Sequence, residues 1–323
     1  MGSAAVSNCQ LFVSYQDVTN GDLKLAKSTT GAASFTTSIV DSLGTTGTDT
    51  SIAVDGSNVY ISYFTTTGAD LRFAKSADGG ETFTTSTVDA TGNVGLYSSI
   101  AASGSNVYIS YYDTTNIDLK LARSTNGGAS FVTSTVDSAG SVGQFTSIAV
   151  RGNDVYIAYY DAGGFDLKLA KSTDGGNTFA ASIIESAGSV GQHAALGVDG
   201  SNVYVAYFDS GGSDLKFARS VNGGASFATS ALDFTVNVGT EASIAVGSGN
   251  VFISYYDSTN MDLKVARSYD SGSTFLLSTV DSVGDVGSHT SIAMDGSNIY
   301  VTYYNVTNQD LKAVRSMNSG ASW

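Results

Sequence analysis

The chain has 323 residues, of which 42% are hydrophobic and 11% aromatic, so it can bury a sizeable core and is not intrinsically disordered. Its formal net charge of −14 argues against a nucleic-acid-binding surface, which needs clustered Lys and Arg. No apolar run reaches the length of a membrane span, the first residues lack the apolar core of a signal peptide, and the single Cys9 excludes an internal disulfide framework.

One motif, Asp-Leu, recurs every 48 residues along the whole chain. Its seven copies begin at Asp22, Asp70, Asp118, Asp166, Asp214, Asp262 and Asp310. A period of about 40 to 50 residues with four strand-like runs is typical of a β-propeller blade. The sequence therefore predicts an all-β fold, a seven-bladed β-propeller of four-stranded antiparallel blades, as one domain over residues 1–323.

Turn residues divide each unit into four extended segments. They are predicted as a small-residue first strand (147–150), an alternating second strand (107–112), a third strand (118–124) and a fourth strand (130–137). The last unit stops at Trp323, which aligns with the start of the fourth strand, so the last blade is expected to lack its outer strand. Because an exposed edge invites pairing, we expect either a piece of a longer chain or a neighbouring molecule that fills the gap.

A tyrosine of the second strand never changes among the repeats. It stands at Tyr15, Tyr63, Tyr111, Tyr159, Tyr207, Tyr255 and Tyr303. These residues would suit a set of sugar-stacking aromatics, or packing between blades with the hydroxyl bonded locally. The second interpretation is favoured, because a ligand site rarely needs seven identical copies of a mid-strand residue.

The turn between the third and fourth strands carries a recognisable pattern. It reads SADGGETF from Ser76, STDGGNTF from Ser172 and SYDSGSTF from Ser268, with weaker forms in the other units. This pattern resembles the Asp box, or bacterial neuraminidase repeat, of the sialidase-like β-propellers, and only STTGAASF from Ser28 lacks the Asp or Asn. The resemblance implies the propeller fold and a structural role for the turns, so no catalytic role is carried over to Asp78, Asp174 or Asp270.

Catalytic members of that family bind the substrate carboxylate with three arginines and use a Tyr activated by a Glu, plus an Asp acid/base. Here 14 of the 15 Lys and Arg residues occupy two positions repeated in every blade, and only Arg151 lies elsewhere. They are therefore predicted to be salt-bridge or strand-edge partners of the repeated acids. The sequence predicts a protein that is not an enzyme, and a glycosidase with acid pairs across a channel is the least favoured alternative.

Two positions vary although their surroundings stay constant. The first lies two residues before the repeated serine of the first strand, at its start, and reads Asp49, Tyr97, Phe145, His193, Glu241 and His289. The second precedes Asp-Leu and reads Gly21, Ala69, Ile117, Phe165, Ser213, Met261 and Gln309. In a propeller both positions belong to connections on one face, opposite the turn pattern, and the first should surround the mouth of the central channel. This is the candidate ligand face, with neutral drift at exposed sites as the alternative.

The loops before Asp-Leu are weak candidates for calcium. DTTNID and DSTNMD place oxygen-bearing side chains at Asp113, Asn116 and Asp118, and at Asp257, Asn260 and Asp262. Calcium prefers such oxygen clusters, but the spacing matches no EF-hand loop. Capping of the turn by Asp and Asn explains the same residues without an ion, so no cofactor is predicted.

These patterns predict an extracellular or cell-surface binding module. Carbohydrate is the favoured ligand, by analogy with seven-bladed propeller lectins built from near-identical repeats. The alternative is a structural or adhesive protein-interaction domain of a larger surface protein, with edge-strand pairing at blade seven. Neither nucleic acid nor membrane insertion is expected.

Overall fold

The structure is a computed structural model that describes residues 2–235 and 237–323. It is an all-β, seven-bladed β-propeller, with four antiparallel strands in each of the first six blades and three in the seventh. The predicted fold class and the three-stranded last blade are confirmed. No helix in the described ranges is long and apolar enough to cross a membrane.

Each blade is a meander whose strands we designate A to D in chain order. The A strands are β1 (Gly2–Ser7), β5 (Thr46–Asp55), β9 (Val94–Ser103), β13 (Val142–Arg151), β17 (Val190–Asp199), β21 (Val238–Gly247) and β25 (Val286–Asp295). The B strands are β2 (Gln10–Asp17), β6 (Asn58–Thr65), β10 (Asn106–Asp113), β14 (Asp154–Asp161), β18 (Asn202–Asp209), β22 (Asn250–Asp257) and β26 (Asn298–Asn305).

The outer half of each blade is formed by strands C and D. The C strands are β3 (Asp22–Ser28), β7 (Asp70–Ser76), β11 (Asp118–Ser124), β15 (Asp166–Ser172), β19 (Asp214–Ser220), β23 (Asp262–Ser268) and β27 (Asp310–Ser316). The D strands are β4 (Thr36–Asp41), β8 (Thr84–Asp89), β12 (Val132–Asp137), β16 (Ala180–Glu185), β20 (Ala228–Asp233) and β24 (Leu276–Asp281).

Strand A is longer than predicted, because it begins at Val142 in β13 and not at residue 147. The reason is visible in the fifth blade, where the pairing of β17 with β18 contains two irregularities. Gln192 pairs with Phe208 and Ala195 with Ala206, so two residues of β17 stand opposite one residue of β18. Such a β-bulge interrupts the alternation from which a strand is recognised in a sequence.

The strands fall into two compact units, Met1–Ile157 with Ala170–Ala181, and Ala158–Leu169 with Ser182–Trp323. Each unit is described by itself below. The single domain predicted over residues 1–323 stays a prediction.

The core lies between neighbouring blades in each unit. In the first unit the Tyr60 ring stacks on Phe73 at 5.9 Å between centroids, and Phe73 meets the edge of Phe131 from the next blade at 5.0 Å. In the second unit Phe217 meets Phe275 in the same way at 4.9 Å. Sheets with apolar groups on both faces are thereby covered on both sides.

Buried hydroxyl pairs also join neighbouring blades. Strand A of one blade meets strand B of the preceding blade in the pairs Thr50–Ser14 (2.9 Å), Ser98–Ser62 (2.9 Å), Thr146–Ser110 (2.8 Å) and Thr290–Ser254 (2.9 Å). Where strand B carries Ala206, the equivalent position of the next strand A carries Ala242. The two members therefore change together, which avoids a buried hydroxyl without its partner.

Candidate functional site

The invariant tyrosine of strand B is bonded, in five of the blades, to an acid that ends strand D of the preceding blade. Tyr111 donates to Asp89 Oδ2 at 2.7 Å, and Lys120 Nζ donates to the same oxygen at 2.6 Å. Tyr255 bonds Asp233 at 2.8 Å in the second unit. The predicted role in packing, with the hydroxyl bonded locally, is confirmed for these tyrosines.

This arrangement keeps the tyrosine protonated. Burial and the hydrogen bond to Asp89 raise the pKa of Tyr111 above its usual value. Burial alone would raise the pKa of Asp89, but the bonds from Lys120 and Tyr111 outweigh it and hold that pKa below its usual range. The acid is therefore charged and the phenol neutral at neutral pH, as suits a structural contact.

The second repeated basic position holds the turn between strands C and D of the following blade. Lys27 Nζ lies 2.6 Å from Glu81 Oε1, and Arg123 Nη1 donates to the Gly175 carbonyl oxygen at 2.8 Å. These two residues contact an acid that is not repeated and a backbone carbonyl, so the predicted pairing with the repeated acids is seen at the first basic position, as in Lys120 with Asp89, and not at Lys27 or Arg123.

The turn itself is held by its aspartate. Asp78 Oδ1 accepts the backbone N–H groups of Glu81 and Thr82 at 3.1 and 3.0 Å, and Oδ2 accepts the Thr82 hydroxyl at 2.6 Å. Bonds from Ser76 and Thr82 hold the pKa of Asp78 well below its usual range. Both carboxylate oxygens serve the turn, which agrees with the structural role that the resemblance implies.

The first variable position lies inside strand A and not at its start, which corrects the prediction. The residue is the first of the two that stand opposite one residue of strand B, as His193 and Ala194 stand opposite Tyr207. All six residues have a positive φ, between 49° and 57°. This left-handed conformation costs about 1–2 kcal/mol for a residue other than Gly. At the bulge the side chains no longer alternate between the two faces of the sheet.

In the first unit the bulge brings three candidates together. Asp49 Oδ2 accepts the backbone N–H of Tyr97 at 3.0 Å. The Tyr97 ring lies 4.6 Å from the Phe145 ring and 6.2 Å from the Tyr112 ring. Burial and the nearby Asp49 raise the pKa of Tyr97, so its hydroxyl is neutral at neutral pH. We call Asp49, Tyr97, Phe145 and Tyr112 the aromatic group.

In the second unit the equivalent positions hold two imidazoles and a carboxylate. Glu241 Oε2 accepts the backbone N–H of His289, and Oε1 lies 3.3 Å from His289 Nδ1. The His289 ring lies 6.4 Å from the Tyr304 ring. Burial lowers the pKa of His193, Glu241 acts in the opposite direction, and His289 adds to the lowering. We call His193, Glu241 and His289 the histidine group.

The two groups share one arrangement. In each, an acid of strand A binds the backbone N–H of the ring-bearing residue 48 positions later, on the next blade. The acid thus fixes the backbone from which that side chain starts, and in the histidine group the second carboxylate oxygen also lies beside the ring.

The second variable position lies in the connection between strands B and C. Its side chains include the exposed Ile117 (45%), Phe165 (54%) and Met261 (48%). The carbonyl oxygen of Ile117 accepts the N–H of Val142, the first residue of the next strand A, at 3.0 Å. This bond brings the B–C connection beside the start of strand A, as the prediction of a shared face requires.

The oxygens proposed for calcium already have donors. Asp113 Oδ1 accepts the N–H groups of Thr115 and Asn116 at 3.0 and 3.1 Å, and Oδ2 accepts Asn116 Nδ2 at 2.9 Å. Burial and the nearby Asp113 raise the pKa of Asp118. The loop containing Asp257, Asn260 and Asp262 repeats these bonds. Within residues 2–235 and 237–323 no three His, Cys, Asp or Glu side chains converge to hold a metal ion.

One set of neighbours was missed from the sequence. Tyr112 and Tyr304 follow the invariant tyrosine of strand B and contact the rings of Tyr97 and His289. Successive strand residues point to opposite faces, so this second aromatic could have been assigned to the face away from the packed tyrosine.

Comparisons with known proteins show the fold and no more. No family model and no curated protein matches the chain. Among solved structures, the SapL1 lectin in complex with alpha methyl fucoside matches with a TM-score of 0.57 at 12% identity, over 86% of this chain and 94% of the lectin. A mutant of Aleuria aurantia lectin in complex with alpha-methyl-L-fucoside matches with a TM-score of 0.53 at 13% identity, over 89% and 95%.

A sialidase also shares the fold. The Hadza microbial sialidase Hz136 matches with a TM-score of 0.56 at 13% identity, over 94% of this chain. The matched part spans 62% of the sialidase. Lectins and a glycoside-cleaving enzyme therefore have similar folds, and function has to be argued from the site.

Proposed function

We propose that this protein is a carbohydrate-binding module of the lectin type, located outside the cell or at the cell surface, that catalyses no reaction. The observation that carries the proposal is a carboxylate that binds the backbone N–H of a ring-bearing residue on the next blade, in Asp49 with Tyr97 and in Glu241 with His289. The partly exposed Glu241 carboxylate can accept hydrogen bonds from sugar hydroxyls, whereas Asp49 is buried (7% exposed) and holds the backbone of Tyr97. A flat ring covers the apolar C–H face of a sugar.

The aromatic group fits this chemistry best. The rings of Tyr97 and Phe145 are 4.6 Å apart and inclined by 43°, so together they form an apolar surface wider than one ring. Asp49 is bonded to the backbone beside that surface. The fold shared with two lectins described as fucoside complexes supports the same ligand class by analogy.

A role without catalysis is supported by the repeated charges. Lys120 and Lys264 bind buried acids in equivalent positions of two blades, so they are not arranged around one substrate. Burial and the acid partner keep the invariant tyrosine protonated, as in Tyr111. A tyrosine that acts as a nucleophile has to lose its proton to a nearby base. The likeness to the sialidase concerns the fold alone.

A glycan array probed with the purified protein at neutral pH tests the proposal. The variant Tyr97→Asn, Phe145→Asn removes both rings, and Asn tolerates the left-handed backbone of these positions. Tyr269→Asn is the control, because it removes an exposed aromatic ring from the turn between strands C and D, outside both variable positions. We expect the double variant to lose at least about tenfold in affinity for the bound glycan and the control to keep it. A blank array with folded protein would overturn the proposal.

A structural or adhesive protein-interaction role is the second candidate. It is favoured by the exposed apolar side chains of Ile117, Phe165 and Met261, since apolar groups on exposed loops often mark contacts with other proteins. It predicts that a surface protein binds the B–C connections that carry Phe165 and Met261 and that Phe165→Asn, Met261→Asn weakens the binding.

A further inference from the structure

The histidine group differs from the aromatic group in its response to pH. Two of its three side chains are imidazoles, whose usual pKa lies at about 6.5. The rings of the aromatic group are two phenols and a benzene ring, which do not titrate between about pH 5 and 8. The same backbone position therefore presents two kinds of surface.

The geometry gives the histidine group polar atoms for a ligand. His289 Nδ1 faces Glu241 Oε1 at 3.3 Å, so Nε2 lies on the opposite edge of the ring. The side chains of His289 and Glu241 are 35% and 24% exposed. His193 is partly buried and close enough to interact electrostatically with both.

We propose that His193, Glu241 and His289 form a second carbohydrate subsite, which binds the hydroxyl groups of a neutral sugar while both imidazoles are uncharged and releases the sugar when they are protonated. The inference rests on the proposed carbohydrate-binding function. A neutral imidazole has one donor and one acceptor nitrogen and can pair with hydroxyls in either sense. When both imidazoles are protonated, Glu241 can balance the charge of only one of them, so a neutral sugar that covers the group would remove water from an uncompensated charge.

The surroundings of the group exclude an anionic sugar as the ligand. Glu241 carries a negative charge, and Asp285 lies nearby through Tyr256, which donates to it at 2.8 Å. The titratable and charged groups on the strands packed against these residues are Tyr207 and Asp209 of β18, Lys216 of β19, Tyr256 and Asp257 of β22, Lys264 of β23, and Tyr303 and Tyr304 of β26. The two lysines are paired with acids, so they do not attract a ligand carboxylate.

The direction of the pH effect follows from burial. Burial lowers the pKa of the His193 imidazole, so this ring is uncharged at neutral pH. A sugar that covers the ring removes more water and lowers this pKa further in the complex. Binding of the sugar and protonation of the ring therefore oppose each other. The affinity for the sugar is highest above the pKa of the imidazole in the free protein and is lost as the pH falls through that pKa.

The experiment measures affinity at about pH 7.5 and about pH 5.0, on either side of the usual histidine pKa. The probes are the methyl glycosides of fucose, galactose and mannose, each in solution. Tyr97→Asn, Phe145→Asn isolates the histidine group, and His193→Asn, His289→Asn isolates the aromatic group. Titration calorimetry in two buffers of different ionisation enthalpy counts the protons released.

We expect the variant that retains the histidines to bind at least about tenfold more weakly at the lower pH, and the variant that lacks them to bind equally at both. Equal affinity at the two pH values in the first variant, or no binding by it at the higher pH, would overturn the inference and leave the proposed function intact. Absence of binding by the unchanged protein to every probe and to the glycan array would overturn both.

Discussion

A double-mutant cycle on one buried hydroxyl pair measures how strongly neighbouring blades depend on each other. Thr290 Oγ1 donates to Ser254 Oγ at 2.9 Å, and the two residues are 6% and 0% exposed. Ser254→Ala removes the acceptor and leaves the Thr290 hydroxyl buried without it, at a cost of about 1–3 kcal/mol. Thr290→Ala has a similar cost, plus about 0.8 kcal/mol for the lost methyl group.

The double variant recreates the arrangement of Ala206 and Ala242, in which no hydroxyl is left unpaired. Its cost should therefore fall below the sum of the single costs by about 1–2 kcal/mol. The free energy of unfolding is measured by urea denaturation followed by far-ultraviolet circular dichroism, with the slope against urea as a check that the unfolded states are comparable.

Thr279→Ala supplies the control, because Thr279 is exposed on strand D and should change stability by no more than about 0.5 kcal/mol. Combined with Ser254→Ala it should be additive. If the Ser254 and Thr290 changes were also additive, within about 0.5 kcal/mol, the paired replacement among repeats would have no energetic cause.

Two further predictions concern single positions. Ser243 of the next blade accepts the backbone N–H of Ile292, and Ala195 occupies the position equivalent to Ser243. Ala195→Ser should therefore supply an acceptor for the N–H of Ile244 and raise the free energy of unfolding by about 1 kcal/mol. An unchanged urea midpoint would contradict this reasoning. Asp233→Asn should cost about 3 kcal/mol at pH 7, because it leaves the charge of Lys264 without its closest partner. Burial alone would raise the pKa of Asp233, but its hydrogen bonds hold it below the unfolded value, so the stabilisation is present above about pH 4 and is lost as the pH falls through the folded pKa. Urea denaturation at pH 7 and below about pH 4 should show a smaller difference in free energy of unfolding between the variant and the unchanged protein in acid. A difference that stays constant would rule this explanation out.

The architecture could be predicted because each repeat contains the turn residues that mark the ends of its strands. The third strand was predicted at residues 118–124 and observed at Asp118–Ser124, since Asp-Leu begins it and the turn pattern ends it. The role of the invariant tyrosine was predicted from repetition alone. The three-stranded last blade followed from the alignment of Trp323 with the start of strand D.

The conformation of the candidate site could not be predicted in the same way. Asp, Tyr, Phe, His and Glu share no preference for a positive φ, so the variable position gives no sign of the bulge it occupies. The available signal was the constant glycine two residues earlier, such as Gly143 (φ 105°), where an added Cβ would lie 2.7 Å from Leu119 Cα. It marks a close approach of two backbones, and hence an irregular strand.

The backbone bonds made by Asp49 and Glu241 have a consequence for changing what this protein binds. Each acid binds the backbone of the ring-bearing residue on the following blade, so the residues that would select a ligand are coupled in neighbouring pairs. Replacing one residue alters the presentation of its successor even where that successor is unchanged. A library that diversifies positions 49 and 97 jointly, or 241 and 289 jointly, would therefore sample new specificities more efficiently than one that varies each position alone.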